Sequence, residues 1–78
     1  MTLEEKRAAV RQVAAALEGS VRTDYSGRGM YGKTCYGITT EYPDTCVEDA
    51  ASLGLRGAQR DSMGKRYIVY WPNIKGDE

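Results

Sequence analysis

Apolar residues recur at helical spacing at the start of the chain. Leu3, Val10, Val13, Ala14 and Leu17 form one stripe, and Glu4, Arg7, Arg11 and Glu18 fall on other faces. Thr2-Leu3-Glu4-Glu5 is a capping-box pattern, and Gly19 suits the position just past a helix end. This predicts a helix from Leu3 to Glu18. Its stripe of valine and alanine is narrow and fits a helix lying on a sheet. From Ser20 the period changes to two: Val21, Thr23 and Tyr25 alternate with Arg22, Asp24 and Ser26. A glycine-dense stretch, Ser26 to Lys33, interrupts the alternation. It then resumes with Tyr36, Ile38, Thr40 and Tyr42 against Cys35, Gly37, Thr39 and Glu41. Two β-rich runs around a Gly-rich turn predict a hairpin with a long loop.

Pro43-Asp44-Thr45 ends that strand, and Thr45-Cys46-Val47-Glu48 repeats the capping box. A short helix follows, with Val47, Ala50, Ala51 and Leu55 facing a core and Gly54 and Gly57 limiting its length. Arg60 to Lys65 reads as a turn. Arg66 to Trp71 reads as a strand with Tyr67, Val69 and Trp71 opposite Ile68 and Tyr70, ended by Pro72. Lys75 to Glu78 reads as a polar tail. The expected order is α-β-β-α-β, an α+β domain with helices on one face of a small antiparallel sheet. A variant makes Leu55 to Gln59 a short strand hairpinned onto Arg66 to Trp71.

The chain has 78 residues, enough for a single domain with one core. Apolar residues are 41% and charged residues 28%, which excludes a disordered tail and a coiled coil. Eleven basic residues balance eleven acidic ones, so the whole-molecule field does not favour DNA or anionic lipid, and nucleic acid is not an expected partner. No apolar run approaches the ~20 residues of a membrane span, and no signal peptide opens the chain. The expectation is a cytoplasmic protein with its two cysteines, Cys35 and Cys46, reduced and buried. Histidine is absent, which removes the usual general base and the Ser-His-Asp and Cys-His triads. No metal or cofactor is expected.

Gly27-Arg28-Gly29-Met30-Tyr31-Gly32-Lys33-Thr34 satisfies G-x-x-x-x-G-K-[ST] at every fixed position. A true P-loop needs a helix after Thr34, whereas Cys35 to Thr40 reads as strand. The match is therefore read as a coincidence of a Gly-rich hairpin, and magnesium-dependent nucleotide turnover is not expected. The local chemistry persists. Three bases and one acid lie between Arg22 and Thr34, and four bases and one acid between Arg56 and Arg66. Basic residues thus gather at two glycine-containing turns with related words, Met30-Tyr31-Gly32-Lys33 and Met63-Gly64-Lys65. Loop amides that converge on an anion, flanked by Arg28 and Lys33 and joined by Lys65 and Arg66, make an anion-binding edge. Against this stands the plain alternative of two solvated turns. Six tyrosines, one tryptophan and no phenylalanine are the second signal, since Tyr and Trp are enriched at interfaces. Aromatics on both faces of the last strand predict a homo-oligomer or an obligate partner to cover the second face.

The words Ser26-Gly27-Arg28-Gly29-Met30-Tyr31-Gly32-Lys33-Thr34-Cys35-Tyr36-Gly37-Ile38 and Asp61-Ser62-Met63-Gly64, with Tyr67-Ile68-Val69-Tyr70-Trp71-Pro72, resemble those of small uncharacterised proteins from phages and bacteria. The resemblance covers about half the chain and brings no activity or catalytic residue with it. It implies a small cytosolic accessory protein of phage type. By analogy such a protein binds and blocks a host factor or sequesters a small molecule. The residues themselves favour a non-enzymatic binding module for a phosphate-bearing or nucleotide-type anion. Its recognition residues are Gly27, Arg28, Gly29, Met30, Tyr31, Gly32, Lys33, Thr34, Lys65 and Arg66. The alternative is an inhibitor or adaptor that engages a host protein through Met30, Tyr31 and an open sheet face.

Overall fold

The computed structural model describes residues 1–77; Glu78 lies outside the described residues. The chain runs α1 (Leu3–Ala16), β1 (Ser20–Tyr25), β2 (Cys35–Thr40), α2 (Pro43–Ser52), β3 (Gln59–Met63) and β4 (Arg66–Lys75). The strands form one antiparallel sheet in the order β1-β2-β4-β3, and both helices pack on one face of it. The α+β reading holds with one strand more than the main expectation. Among the described residues no helix is long and apolar enough to cross a membrane.

Each helix starts and stops for local reasons. At α1 the capping box forms: Thr2 N–H donates to Glu5 Oε1 at 3.0 Å and Glu5 N–H to Thr2 Oγ1 at 3.1 Å. Its end differs from the expected glycine cap. Glu18 holds the left-handed φ of +54°, while Gly19 N–H returns to the Ala14 carbonyl at 2.8 Å. Gly19 is needed one residue later because a Cβ there would sit 2.9 Å from both Ile38 Cγ2 and the Thr39 carbonyl. The expected capping box at Thr45 does not form. Tyr42 caps α2 without a side-chain bond, and Pro43, pre-shaped for a first turn, starts the helix three residues early.

The region after α2 departs most from expectation. Gln59–Met63 is a strand, not the turn read from Arg60 to Lys65, and it lies later than the Leu55–Gln59 variant. It pairs with β4 through a two-residue turn, Gly64-Lys65, closed by the Met63–Arg66 pair. Gly64 at φ +66° leads that turn, as a type II′ hairpin requires. Nor does Pro72 end β4. The register of β2 against β4 jumps from Tyr36–Trp71 to Cys35–Lys75, so Pro72, Asn73 and Ile74 loop out of the ladder. Proline, which has no amide to contribute, is tolerated at such a bulge.

Ile74 returns into the core, and the next residues are strapped down. Arg7 Nε and Nη2 donate to the Lys75 carbonyl at 3.2 and 2.8 Å, and Nη2 donates to the Gly76 carbonyl at 3.0 Å. Tyr36 Oη donates to Asp77 Oδ1 at 2.6 Å. Residues 75–77 are therefore fixed structure rather than a tail.

Each face of the sheet carries a buried cluster, built by different means. Between sheet and helices lie Val10, Val13, Ala14, Tyr36, Ile38, Cys46, Ala50, Leu55, Val69, Trp71 and Ile74. On the other face a small cluster of Met30, Cys35, Ile68 and Tyr70 is packed against Tyr25. Tyr25 packs against Tyr70 with ring centres 4.9 Å apart and the planes tilted by 48°. The loop thus covers Ile68 and Tyr70 on this face. Both cysteines are buried and free, on opposite faces of the sheet. Burial pushes each thiol up to about 11.

Candidate functional site

The loop from Gly27 to Thr34 is two successive turns with a pin between them. Met30 N–H donates to the Gly27 carbonyl at 3.3 Å, and Lys33 N–H to the Met30 carbonyl at 3.1 Å. In the first turn Gly29 takes φ +78°, the value a type II turn needs at its third residue. In the second, Tyr31 and Gly32 take φ +50° and +86°, the pair of a type I′ turn. Met30 sits between them and points down. Its side chain is buried on the second sheet face, where Sδ accepts from Gly27 N–H at 3.1 Å and lies 3.8 Å from Cys35 Sγ. Gly27 lies flat on Tyr70, whose ring would be 2.6 Å from a Cβ there.

This arrangement sorts the expected site residues. Met30, expected as an exposed contact, is instead the anchor: burying its thioether covers Ile68 and Tyr70, which the helices cannot reach. The amides of Met30 and Lys33 are used in the turns and do not converge on an anion. Arg28, Tyr31 and Lys33 remain on the outside, and Tyr31 is 96% exposed. The side chain after an anchoring methionine is thereby turned into solvent in a left-handed conformation that non-glycine residues seldom adopt.

The second basic turn does not join the first. Lys65 and Arg66 extend beyond the Thr40 end of β2, whereas the loop precedes Cys35 at the other end. The two ends of β2 are about 17 Å apart at ~3.4 Å per residue. Arg66 faces Glu41, 3.9 Å away, and borders a small recess with Glu18 and Tyr42. The single edge combining Arg28, Lys33, Lys65 and Arg66 is therefore corrected to two separate turns.

What the loop does meet is the bulge of β4. Gly32, Lys33 and Thr34 form one wall of an open groove of about 600 Å³, and Pro72, Asn73 and Lys75 form the other. Gly76 N–H donates to the Thr34 carbonyl at 3.0 Å and ties the two walls together. Only glycine permits this approach, since a Cβ at Gly76 would stand 2.5 Å from Thr34 Oγ1 and from the Thr23 carbonyl. Among the described residues the lining carries two lysines, a hydroxyl and an amide. Asn73 and Lys75 were not among the expected site residues. The one sequence signal for them was Pro72 inside an otherwise strand-like run, which marks a bulge as readily as a strand end.

Thr34 leads directly into β2, so the loop has a strand where a P-loop has a helix. Among the described residues no three His, Cys, Asp or Glu side chains come together as a metal-binding group. No protein-family model, curated protein or solved structure matches the chain.

Proposed function

We propose that the chain is a small, non-enzymatic binding module that takes an anionic ligand of phosphate-bearing type at the basic hairpin loop. The observation that carries this reading is the groove of about 600 Å³ beside Lys33 and Thr34, which has no acid among its described lining residues. Its volume falls in the range of small-molecule sites. In a chain of zero formal charge, such local cationic walls are an asymmetry of placement, not of composition. Lys33 supplies a charge, and the Thr34 hydroxyl can donate to an oxyanion. Two buried free thiols support a reducing compartment, the cytoplasm, as the place of work.

Calorimetric titration of the whole chain with ATP and with inorganic phosphate tests the reading. Lys33→Ala is expected to weaken binding by about tenfold, and raised salt should narrow that difference. Lys65→Ala, at the far end of the sheet, should bind like the unaltered chain. Absence of binding at millimolar anion overturns the proposal.

One observation favours a second reading, a protein partner gripped by the loop tip. Tyr31 is 96% exposed and holds φ +50°, a conformation whose strain is retained without any packing return. A partner that buries the ring would supply that return.

A further inference from the structure

Tyr31 stands in solvent one residue before Gly32, where the loop's wall of the groove begins. We infer that this ring stacks on the base of a free nucleotide whose phosphate is held at Lys33 and Thr34. This rests on the anion-binding reading of the loop and names the class of ligand the loop takes.

The surroundings of the ring favour a base over an apolar side chain of a partner. Its loop neighbours Arg28, Gly29, Gly32 and Lys33 are exposed, while Met30, the apolar one, is buried beneath. Within the loop the ring is therefore a lone aromatic beside cations, without the apolar rim that shields a protein hot spot from water. An aromatic face set next to positive charge is the arrangement that takes a base together with its phosphate. A flat ligand has room to approach, since a Cβ at Gly29 or Gly32 would meet nothing within 4 Å. From Gly27 to Thr34 the chain carries two bases and no acid, so no loop carboxylate opposes the phosphate.

The spacing suits one nucleotide unit. Tyr31 and Lys33 are two residues apart, so their Cα atoms lie at most about 7 Å from each other. One ribose bridges a base and its 5′-phosphate over a comparable distance. The tip is also set before any ligand arrives. Lys33 N–H donates to the Met30 carbonyl at 3.1 Å, and the buried Met30 side chain fixes the turn to the sheet. Tyr31 is thereby presented at φ +50°, and its ordering cost falls on folding rather than on binding. One ring on a chain of zero formal charge provides for a single nucleotide and not for a strand, which needs a field along its whole length.

The test is calorimetric titration of the whole chain with AMP, ribose 5-phosphate and a short oligoadenylate. AMP is expected to bind about tenfold more tightly than ribose 5-phosphate, the gain that stacking on one aromatic ring gives a base. Tyr31→Ala should shrink that gain to within about twofold and leave ribose 5-phosphate binding unchanged, whereas Tyr31→Trp should retain it. Lys33→Ala should weaken both ligands alike. Equal binding of AMP and ribose 5-phosphate overturns the inference; if Lys33→Ala still weakens both, the loop reading stands without a base. An AMP preference that survives Tyr31→Ala overturns it as well and leaves the ring to a protein partner. Oligoadenylate binding more than about tenfold tighter than AMP overturns the assignment to a free nucleotide. No binding of any of the three at millimolar concentration overturns both readings.

Discussion

The chain carries two turns built from nearly the same word, Met-Tyr-Gly-Lys at Met30 and Met-Gly-Lys at Met63, and the fold uses them in opposite ways. Gly64-Lys65 is a minimal hairpin turn whose methionine is exposed and whose backbone only reverses direction. The longer loop buries Met30, seats Gly27 on Tyr70 and forces Tyr31 into solvent at a left-handed φ. The difference is one of surroundings. Loop residues can reach an uncovered patch of Ile68 and Tyr70, and burying a thioether there stabilises the loop. At the other turn Met63 is left exposed. A short motif therefore acquires its role from the surface it lands on.

Paired substitutions at the two methionines should separate the turns most sharply. Met30→Ala is expected to cost about 2–3 kcal/mol of stability through a cavity on the second face. Met63→Ala should stay within about 0.5 kcal/mol, as for surface sites. Urea unfolding of both variants checks this; equal losses would mean that Met30 is not an anchor.

Alkaline pH loosens the same anchor from beneath. Cys35 is raised to about 11, so its neutral form is favoured on folding. The stability this represents is fully present below the ordinary thiol value near 8.5–9 and is lost as pH rises through 11. Up to about 3 kcal/mol is at stake for one fully ionised buried thiol. Cys46 behaves alike on the helix side. Stability measured from pH 7 to 11 should fall, and Cys35→Ala should flatten part of that fall.

The glycines should differ next. Gly27→Ala places a Cβ 2.6 Å from the Tyr70 ring and should cost about 1–3 kcal/mol by displacing it. Gly64→Ala meets open space and pays only for φ +66°, about 1 kcal/mol. Melting curves that rank Gly64 above Gly27 would contradict the seating of the loop on Tyr70.

The smallest effect has the opposite sign. Tyr31→Asn suits the type I′ turn and should stabilise by about 0.5 kcal/mol, while weakening any complex in which the ring is a contact. A destabilised Tyr31→Asn would show that the exposed ring already packs on something within the chain.

Much of the framework was legible because its causes are local. The capping box at Thr2 and Glu5, the apolar stripe of α1, and the alternation in Ser20–Tyr25 and in Arg66–Trp71 are written within a few residues of the elements they form. The failures share one cause. Thr45-Cys46-Val47-Glu48 is a good capping box, but Pro43 can start the helix earlier without it. Gln59–Met63 is polar and shows no apolar alternation, since it is an edge strand whose place comes from backbone pairing with β4. The candidate site was legible only by half. Lys33 and Thr34 stand in a conspicuous Gly-rich motif, whereas Asn73 and Lys75 look like the end of a strand and the start of a tail.

The sequence by itself determined the helices, three of the strands, the antiparallel α+β character and the placement of basic residues at two turns. Periodicity, capping and turn chemistry act over three or four residues and need no partner. Tertiary structure alone decided which methionine is buried, that the two basic turns lie at opposite ends of the sheet, and that Lys75 stands beside Lys33. Each of these depends on strand register, and register is set by pairing across tens of residues, where one bulge moves a side chain from one neighbour to another.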